Sequence, residues 1–191
     1  MQKRVFIVHM WDGRPKDGWY GWLKKQLEQR GPEVHVPAMP NTSAPKIKPW
    51  VAHLSKTVGT PDKNTFFVGH SIGCQTILRY LETLPPDKKV GGAVFVAGWF
   101  TLKNLETKEE QRIAKPWLTT PIDFKKVMRH TSKFIAIFSD NDPVVPLNNK
   151  ISFAKNLRAT TIVQHNKGHF TADDGILKLP IILQSLLKIA A

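Results

Sequence analysis

The stretch Thr65-Phe-Phe-Val-Gly-His-Ser-Ile-Gly73 decides how the chain folds, because an apolar run gives way there to a helical pattern. Thr65 to Val68 are β-branched or aromatic, which favours a buried strand, and Gln75 to Leu84 have helical spacing. The residues between them must therefore turn sharply. A glycine on each side of Ser71 removes side chains that would collide with strand and helix. This context supports interpreting the motif as a G-x-S-x-G nucleophile elbow.

A serine at such a turn stands above the sheet, beside the N-terminus of the helix that begins at Ile72. Unpaired N–H groups and the positive end of the helix dipole stabilise negative charge there. The Ile72 N–H is thus one predicted donor to an oxyanion. The loop after the first strand is expected beside the elbow, so Met10 or Trp11 offers the second donor. An ordinary strand-to-helix loop is the alternative interpretation.

A base and an acid follow the serine in chain order. The buried-strand pattern Phe134–Ser139 leads into Asp140 and Asp142, and the strand Thr160–Gln164 leads toward His169. The order serine, aspartate, histidine is typical of α/β-hydrolases, and reactive groups gather at the carboxyl ends of parallel strands. Three competitors remain: Asp140 for the acid, and His165 and His70 for the base. His165 is still in its strand, and His70 is expected to point away from the Ser71 hydroxyl.

Length and composition limit the classes to which this protein can belong. The chain has 191 residues, 41% of them hydrophobic, which suits one globular domain over residues 1–191. Its net charge is +13, but the basic residues are scattered rather than clustered, so no nucleic-acid partner is expected. Cys74 is the only cysteine, which excludes an intrachain disulfide, and we interpret it as a helix packing residue. With no signal peptide or membrane span recognised, a cytoplasmic location is predicted.

The remaining pattern predicts an α/β fold. Six strands alternate with helices, and such alternation predicts a doubly wound sheet covered on both faces. The other predicted strands are Arg4–His9, Glu33–Val36 and Val90–Ala97, and the other predicted helices are Trp19–Leu27, Lys46–Val58, Leu147–Leu157 and Ile176–Ala190.

Residues 99–121 interrupt the alternation with a largely polar stretch. An insertion at this position can serve as a small lid, and its aromatic residues Trp99, Phe100 and Trp117 suit an apolar acyl or alkyl group. A simple surface helix explains the same pattern equally well.

The chain resembles the compact α/β-hydrolases of the retinoblastoma-binding protein nine and YdeN type. The resemblance covers nearly the whole length and depends on the early strand, Gly69–Cys74, Ser139–Pro146 and Lys167-Gly-His169. It implies a three-layer α/β/α sandwich around a six-stranded, mostly parallel sheet of order 2-1-3-4-5-6. It also implies a metal-free serine hydrolase without a cofactor, with Ser71 as nucleophile, Asp142 as acid and His169 as base. One departure is His9-Met10, where many relatives have His-Gly.

The predicted function is hydrolysis of a small-molecule ester, thioester or amide through an acyl-enzyme on Ser71. The main alternative is an idle hydrolase scaffold that docks a protein partner, because a fold does not establish an activity. Nucleic-acid binding is a second alternative, which a steep salt dependence of affinity would reveal. A dehalogenase-type enzyme would need an aspartate where Ser71 stands.

Overall fold

Six parallel strands form the centre of the molecule, whose computed structural model describes residues 2–191. The strands are β1 (Arg4–Val8), β2 (Glu33–His35), β3 (Thr65–His70), β4 (Gly92–Val96), β5 (Phe134–Ser139) and β6 (Thr160–Gln164). The helices are α1 (Tyr20–Glu28), α2 (Ile47–Val58), α3 (Ile72–Thr83), α4 (Lys108–Thr119), α5 (Phe124–His130), α6 (Asn149–Leu157) and α7 (Pro180–Ala190). The strand order β2-β1-β3-β4-β5-β6 confirms the predicted topology.

Helices cover both faces of this sheet. From β1 to β2 the chain moves toward one edge of the sheet, and from β2 to β6 it moves toward the opposite edge. Right-handed crossovers therefore place α1 on one face of the sheet and α2, α3 and α6 on the opposite face. The contacts agree, because α1 packs on α7, whereas α2, α3, α5 and α6 pack in succession. Strands β3, β4 and β5 are buried at every residue, as expected of parallel strands enclosed on both sides.

Several boundaries differ by a few residues from the sequence-based expectation, and one helix was not predicted. β3 continues to His70, which pairs with Val96, and the Ser71 N–H still donates to the Val96 carbonyl. α7 begins at Pro180 rather than Ile176, because proline lacks an N–H and fits only the first turn of a helix. The short helix α5 was not predicted; the Asp123 side chain caps it by accepting the Lys126 N–H at 3.1 Å.

The stretch 99–121, which we call the cover segment, is irregular up to Thr107 and then forms α4. Thr107 and Glu110 form a capping box at the start of this helix. At its end, Arg79 Nη2 donates to the carbonyls of Trp117, at 3.1 Å, and Thr120, at 2.8 Å. Elbow helix α3 therefore holds the C-terminal end of α4 in place.

No helix within residues 2–191 combines the length and the apolar character needed to cross a membrane.

Candidate active site

The turn between β3 and α3 is strained at Ser71. This residue has φ 54° and ψ −119°, a conformation rare for residues with a side chain. Such backbone costs about 1–3 kcal/mol and is concentrated at functional sites. The two motif glycines are required by space: a Cβ on Gly69 would lie 2.7 Å from Cys74 Cα, and one on Gly73 would lie 2.2 Å from the Val8 carbonyl oxygen. The elbow thus packs directly on strand β1.

His169 and Asp142 form a hydrogen-bonded pair. His169 Nδ1 lies 2.8 Å from Asp142 Oδ2, and because an ionised carboxylate only accepts, Nδ1 carries the proton. Asp142 Oδ1 accepts the N–H groups of Val144 and Val145, both at 2.8 Å. The buried carboxylate is therefore held on both oxygens. This tautomer leaves Nε2 of His169 free to accept a proton.

The two competitors at the same strand ends pair with each other. His165 Nδ1 lies 2.6 Å from Asp140 Oδ2, and the Asn166 N–H donates to Asp140 Oδ1 at 2.9 Å. These two hydrogen bonds lower the pKa of Asp140, and the bond from the Asn166 N–H has the larger effect. Asp140 therefore ties together the loops that carry Asp142 and His169, which we call the acid loop (residues 140–146) and the base loop (residues 165–170).

A cavity of about 340 Å³ contains both Ser71 and His169. The Ser71 hydroxyl oxygen accepts a hydrogen bond from Trp99 Nε1 at 3.2 Å. None of the hydrogen bonds found within residues 2–191 joins that hydroxyl to His169. Serine–histidine bonds of apo hydrolases are often loose and tighten on binding of substrate. Ser71 and His169 therefore share one space, with room for a small molecule between them.

The base loop is supported from behind by His70. Because the His169 carbonyl only accepts, His70 Nε2 donates to it, at 2.7 Å, and Nδ1 accepts from the Tyr20 hydroxyl at 2.6 Å. Tyr20 in turn accepts the Met10 N–H at 3.3 Å. Burial, with a smaller contribution from His169, lowers the pKa of His70 to about 3, so this ring is neutral at pH 7. His70 thus points away from Ser71 and links the loops around it.

The candidate oxyanion donors differ in availability. The Ile72 N–H lies in the first turn of α3, where it has no partner within the helix. The Met10 N–H is already donated to Tyr20. The Trp11 N–H takes part in none of the hydrogen bonds found within residues 2–191, and Trp11 lines the cavity.

Of the three aromatic residues expected in the pocket, only Trp99 lines the cavity. Phe100 instead stacks on Phe153 with ring centroids 4.7 Å apart, and the Trp117 indole donates to the Pro45 carbonyl at 3.0 Å. The Phe100 side chain points toward α6, because Asn149 Oδ1 holds the Phe100 backbone by accepting its N–H at 2.7 Å. The expectation for Phe100 and Trp117 is therefore corrected.

Several aliphatic side chains of the cavity wall were not predicted from the sequence. Besides Met10, Trp11, Trp99 and the elbow, the apolar members of the wall are Leu102, Leu105, Ile113 and Val144. A helical signal for one of them existed, because Ile113 and Trp117 are separated by one turn and both face inward. No periodicity could have indicated Leu102 and Leu105, which lie in irregular chain.

Carboxylate and imidazole groups of residues 2–191 form no cluster of three or more that could hold a metal ion.

Known proteins with this architecture are similar along nearly the whole chain. A family model described as "Serine hydrolase" matches residues 5–188. The YdeN protein of Bacillus subtilis is 32% identical over 186 residues, which cover 97% of this chain and 95% of that protein. The serine hydrolase RBBP9 of Rattus norvegicus is 26% identical over 154 residues, 80% of this chain and 78% of RBBP9. The crystal structure of the ydeN gene product superposes with a TM-score of 0.90 at 30% identity, covering 98% of each chain. The chain belongs to the serine hydrolase family.

Proposed function

We propose that the protein hydrolyses a small ester, thioester or amide through an acyl-enzyme on Ser71. One observation carries the proposal: the strained serine and a histidine whose Nδ1 is bonded to a buried aspartate line the same cavity. A hydroxyl near neutral pH needs a base to take its proton and a group that orients that base. Ser71, His169 and Asp142 are proposed for these three roles.

The reaction proceeds in two steps. Ser71 Oγ attacks the carbonyl carbon while its proton moves to His169 Nε2, and that proton then leaves with the alcohol, thiol or amine. Water next attacks the acyl-enzyme, giving its proton to the same nitrogen, and Ser71 recovers its hydroxyl proton when the acid departs. Asp142 holds the proton-bearing Nδ1 throughout, so that Nε2 remains directed to the reaction.

Trp11 rather than Met10 is proposed as the second oxyanion donor, beside Ile72. The Met10 carbonyl accepts the Gly13 N–H at 3.1 Å and lies 2.9 Å from His9 Nδ1. Because the Met39 N–H occupies the other ring nitrogen of His9, Nδ1 is the donor. In a trans peptide the N–H points opposite to the carbonyl. Fixing the Met10 carbonyl therefore fixes the Trp11 N–H on the opposite side, without a glycine.

The wall of the cavity favours uncharged or cationic substrates over anionic ones. The whole chain has 28 lysines and arginines against 15 aspartates and glutamates. Yet the described residues that line the cavity include Asp12, Glu109 and Glu110 and no lysine or arginine. Glu109 is paired with Arg112 through both carboxylate oxygens, whereas no ion pair found within residues 2–191 involves Asp12 or Glu110, so these two carry the negative charge of the wall. A carboxylate on the acyl group would be repelled at close range, although the net charge of the protein attracts it from a distance. The aliphatic part of the wall suits a short hydrocarbon chain.

The cover segment is proposed to close one side of this cavity. Residues from its irregular half and from the first turns of α4 contribute to the wall. Arg79 holds the far end of α4. The irregular half is joined to the acid loop by the Lys103 N–H, which donates to the Val144 carbonyl at 2.9 Å, and by Asn104 Nδ2, which donates to the Pro143 carbonyl at 2.8 Å. The segment is therefore anchored on both sides of the cavity.

Turnover of p-nitrophenyl esters tests the proposal. A series from acetate to octanoate, together with the hemisuccinate and the trimethylammonio-butyrate, separates chain length from charge. We expect hydrolysis of the short neutral esters, with kcat/KM about tenfold lower for the hemisuccinate than for the butyrate. Like charges about 4 Å apart repel by about 1 to 4 kcal/mol between water and a protein surface, and about 1.4 kcal/mol corresponds to a tenfold change.

The matched serine variants are Ser71→Ala and Ser55→Ala, the latter an exposed helix position away from the cavity. Ser71→Ala should abolish turnover, whereas Ser55→Ala should retain it. No turnover of any ester by a folded wild type would favour the idle, partner-binding scaffold. Turnover that survives in Ser71→Ala would exclude the acyl-enzyme on this residue.

A further inference from the structure

The indole of Trp99 has a different kind of hydrogen-bond acceptor from the other indoles that donate a hydrogen bond within residues 2–191. The indoles of Trp11, Trp19, Trp50 and Trp117 donate to main-chain carbonyls, of Ser43, Phe170, Pro40 and Pro45. The indole of Trp99 instead donates to the side-chain oxygen of Ser71, at 3.2 Å. Both partners are buried. A buried N–H is thus aimed at the reacting atom of the proposed nucleophile.

The chain holds Trp99 in place at some cost in backbone strain. Ala97, at the end of β4, has φ 47°, a left-handed conformation that turns the chain toward the elbow. Beyond it, a Cβ on Gly98 would lie 2.5 Å from the Phe153 ring. The Trp99 carbonyl accepts from Gln75 Nε2 at 3.1 Å, and Gln75 Oε1 in turn accepts from the buried Arg79. The indole is therefore pre-organised before any substrate arrives.

We propose that Trp99 is a further catalytic residue, whose indole N–H stabilises the negative charge that develops on Ser71 Oγ as its proton leaves. This inference rests on the proposed acyl-enzyme chemistry at Ser71. It adds a donor on the nucleophile itself, beside the two backbone N–H groups that serve the carbonyl oxygen.

The direction of the bond determines its effect. The indole N–H only donates, so it occupies a lone pair of Oγ and leaves the hydroxyl proton free for His169. While that proton moves to Nε2, Oγ becomes more negative and the hydrogen bond strengthens. Once the Oγ–carbon bond has formed, Oγ is an ester oxygen and accepts more weakly. The bond is therefore strongest near the transition state, which is the condition for catalysis.

The experiment measures the rate at which alkyl fluorophosphonates modify the intact protein. In this reaction an Oγ–phosphorus bond forms, the phosphorus–fluorine bond breaks, fluoride leaves and the hydroxyl proton passes to His169. Two variants remove the donor: Trp99→Phe, and Trp99 replaced by 3-benzothienylalanine, which keeps the bicyclic shape but has no N–H. Trp117→Phe is the matched control, because that indole is equally buried, at 1% exposure, and loses a bond to a carbonyl.

We expect both Trp99 variants to react about 10- to 100-fold more slowly than wild type, by the same factor for an ethyl and an octyl probe. In ester turnover the loss should fall on kcat rather than KM. Trp117→Phe should react at the wild-type rate.

Three results would overturn the inference. One is a wild-type rate in the benzothienylalanine variant, and another is a faster rate, which would mean that Trp99 restrains the serine. The third is a loss that depends on the alkyl chain, which would make Trp99 only a wall of the pocket. If wild type itself is not modified at Ser71, the proposed function fails instead, so the two failures are distinguishable.

Discussion

Two aspartate–histidine pairs stand side by side at the ends of β5 and β6, and they differ in burial far more than in length. Asp142 and His169 are 2.8 Å apart, with side chains 2% and 15% exposed. Asp140 and His165 are 2.6 Å apart, with side chains 34% and 80% exposed. The shorter contact is thus the one surrounded by water, where ion pairs contribute little. A short carboxylate–imidazole distance does not by itself indicate a catalytic pair.

The surroundings of each pair make the difference. The Asp142 carboxylate is fixed by two backbone N–H groups, and His169 lines the cavity of Ser71. His169 is also held through its own backbone: its carbonyl accepts from His70, and its N–H donates to Asp174 Oδ2 at 2.9 Å. Asp140 and His165 do not line the cavity, and their contacts join the acid loop to the base loop. We therefore expect one pair to act in the reaction and the other to support it.

The largest expected contrast is between the two histidines. His169→Ala should lower kcat/KM by about 10²–10⁴-fold, the usual contribution of a general base. His165→Ala should change it less than about fivefold, because an exposed pair contributes at most about 1 kcal/mol. Ester turnover at saturating and limiting substrate checks both variants. Comparable losses in the two would contradict the assignment of roles.

Asp142→Asn should likewise lower activity more than Asp140→Asn, but the difference should be smaller than that between the two histidine variants. Asp142→Asn preserves shape but no longer favours the tautomer with the proton on Nδ1, so kcat should fall by about 10²–10⁴-fold. Asp140→Asn keeps one carbonyl oxygen that can accept the Asn166 N–H. This variant should lower kcat only a few-fold, because the acid loop and the base loop are then held together less tightly. Single-turnover kinetics with a p-nitrophenyl ester measures the effect on acylation. A larger loss in Asp140→Asn than in Asp142→Asn would reverse the assignment of the acid.

A smaller effect concerns His70, the buried imidazole behind His169. Its pKa in the folded state is about 3, below the value of 6.5 expected when unfolded, so the unfolded chain binds more protons between these values. The contribution of His70 to stability is complete above pH 6.5 and is lost as the pH falls toward 3. The slope is at most about 1.4 kcal/mol per pH unit.

Urea unfolding at pH 7, 6, 5 and 4 measures this dependence. His70→Gln should have a shallower fall in the free energy of unfolding than wild type. Part of the fall should persist, because burial also lowers the pKa of His9. Parallel curves for wild type and His70→Gln would show that His70 does not titrate as the buried site implies.

Much of the fold could be predicted from local pattern. At the edge of the sheet, β6 spans the predicted Thr160–Gln164, because its β-branched residues favour a strand although none of them is buried. The central strand β5 begins and ends where its apolar run does, at Phe134 and Ser139. Buried parallel strands leave such runs because both of their faces are covered. The alternation of strands and helices then restricts the topology to few forms. The resemblance to compact α/β-hydrolases supplied the strand order.

Local pattern could not predict most features that depend on side-chain direction, and the choice of Asp142 over Asp140 came from the resemblance alone. Whether Asp140 or Asp142 faces His169 is decided by the turn at Pro143 and by the N–H groups of the two valines that follow. Trp99 and Phe100 are neighbours with the same pattern, but the strained Ala97 turns one toward Ser71 and Asn149 directs the other to α6. These contacts join distant parts of the chain, and the periodicity of the sequence carries no information about them.

Mass spectrometry of the protein after treatment with a fluorophosphonate tests whether Ser71 is a nucleophile activated by His169. We expect one added probe per chain, located on the peptide that contains Ser71. The modification should be absent in Ser71→Ala, slowed strongly in His169→Ala and unchanged in His165→Ala. Modification of Ser71→Ala at the wild-type rate, or equal slowing by the two histidine variants, would contradict these roles.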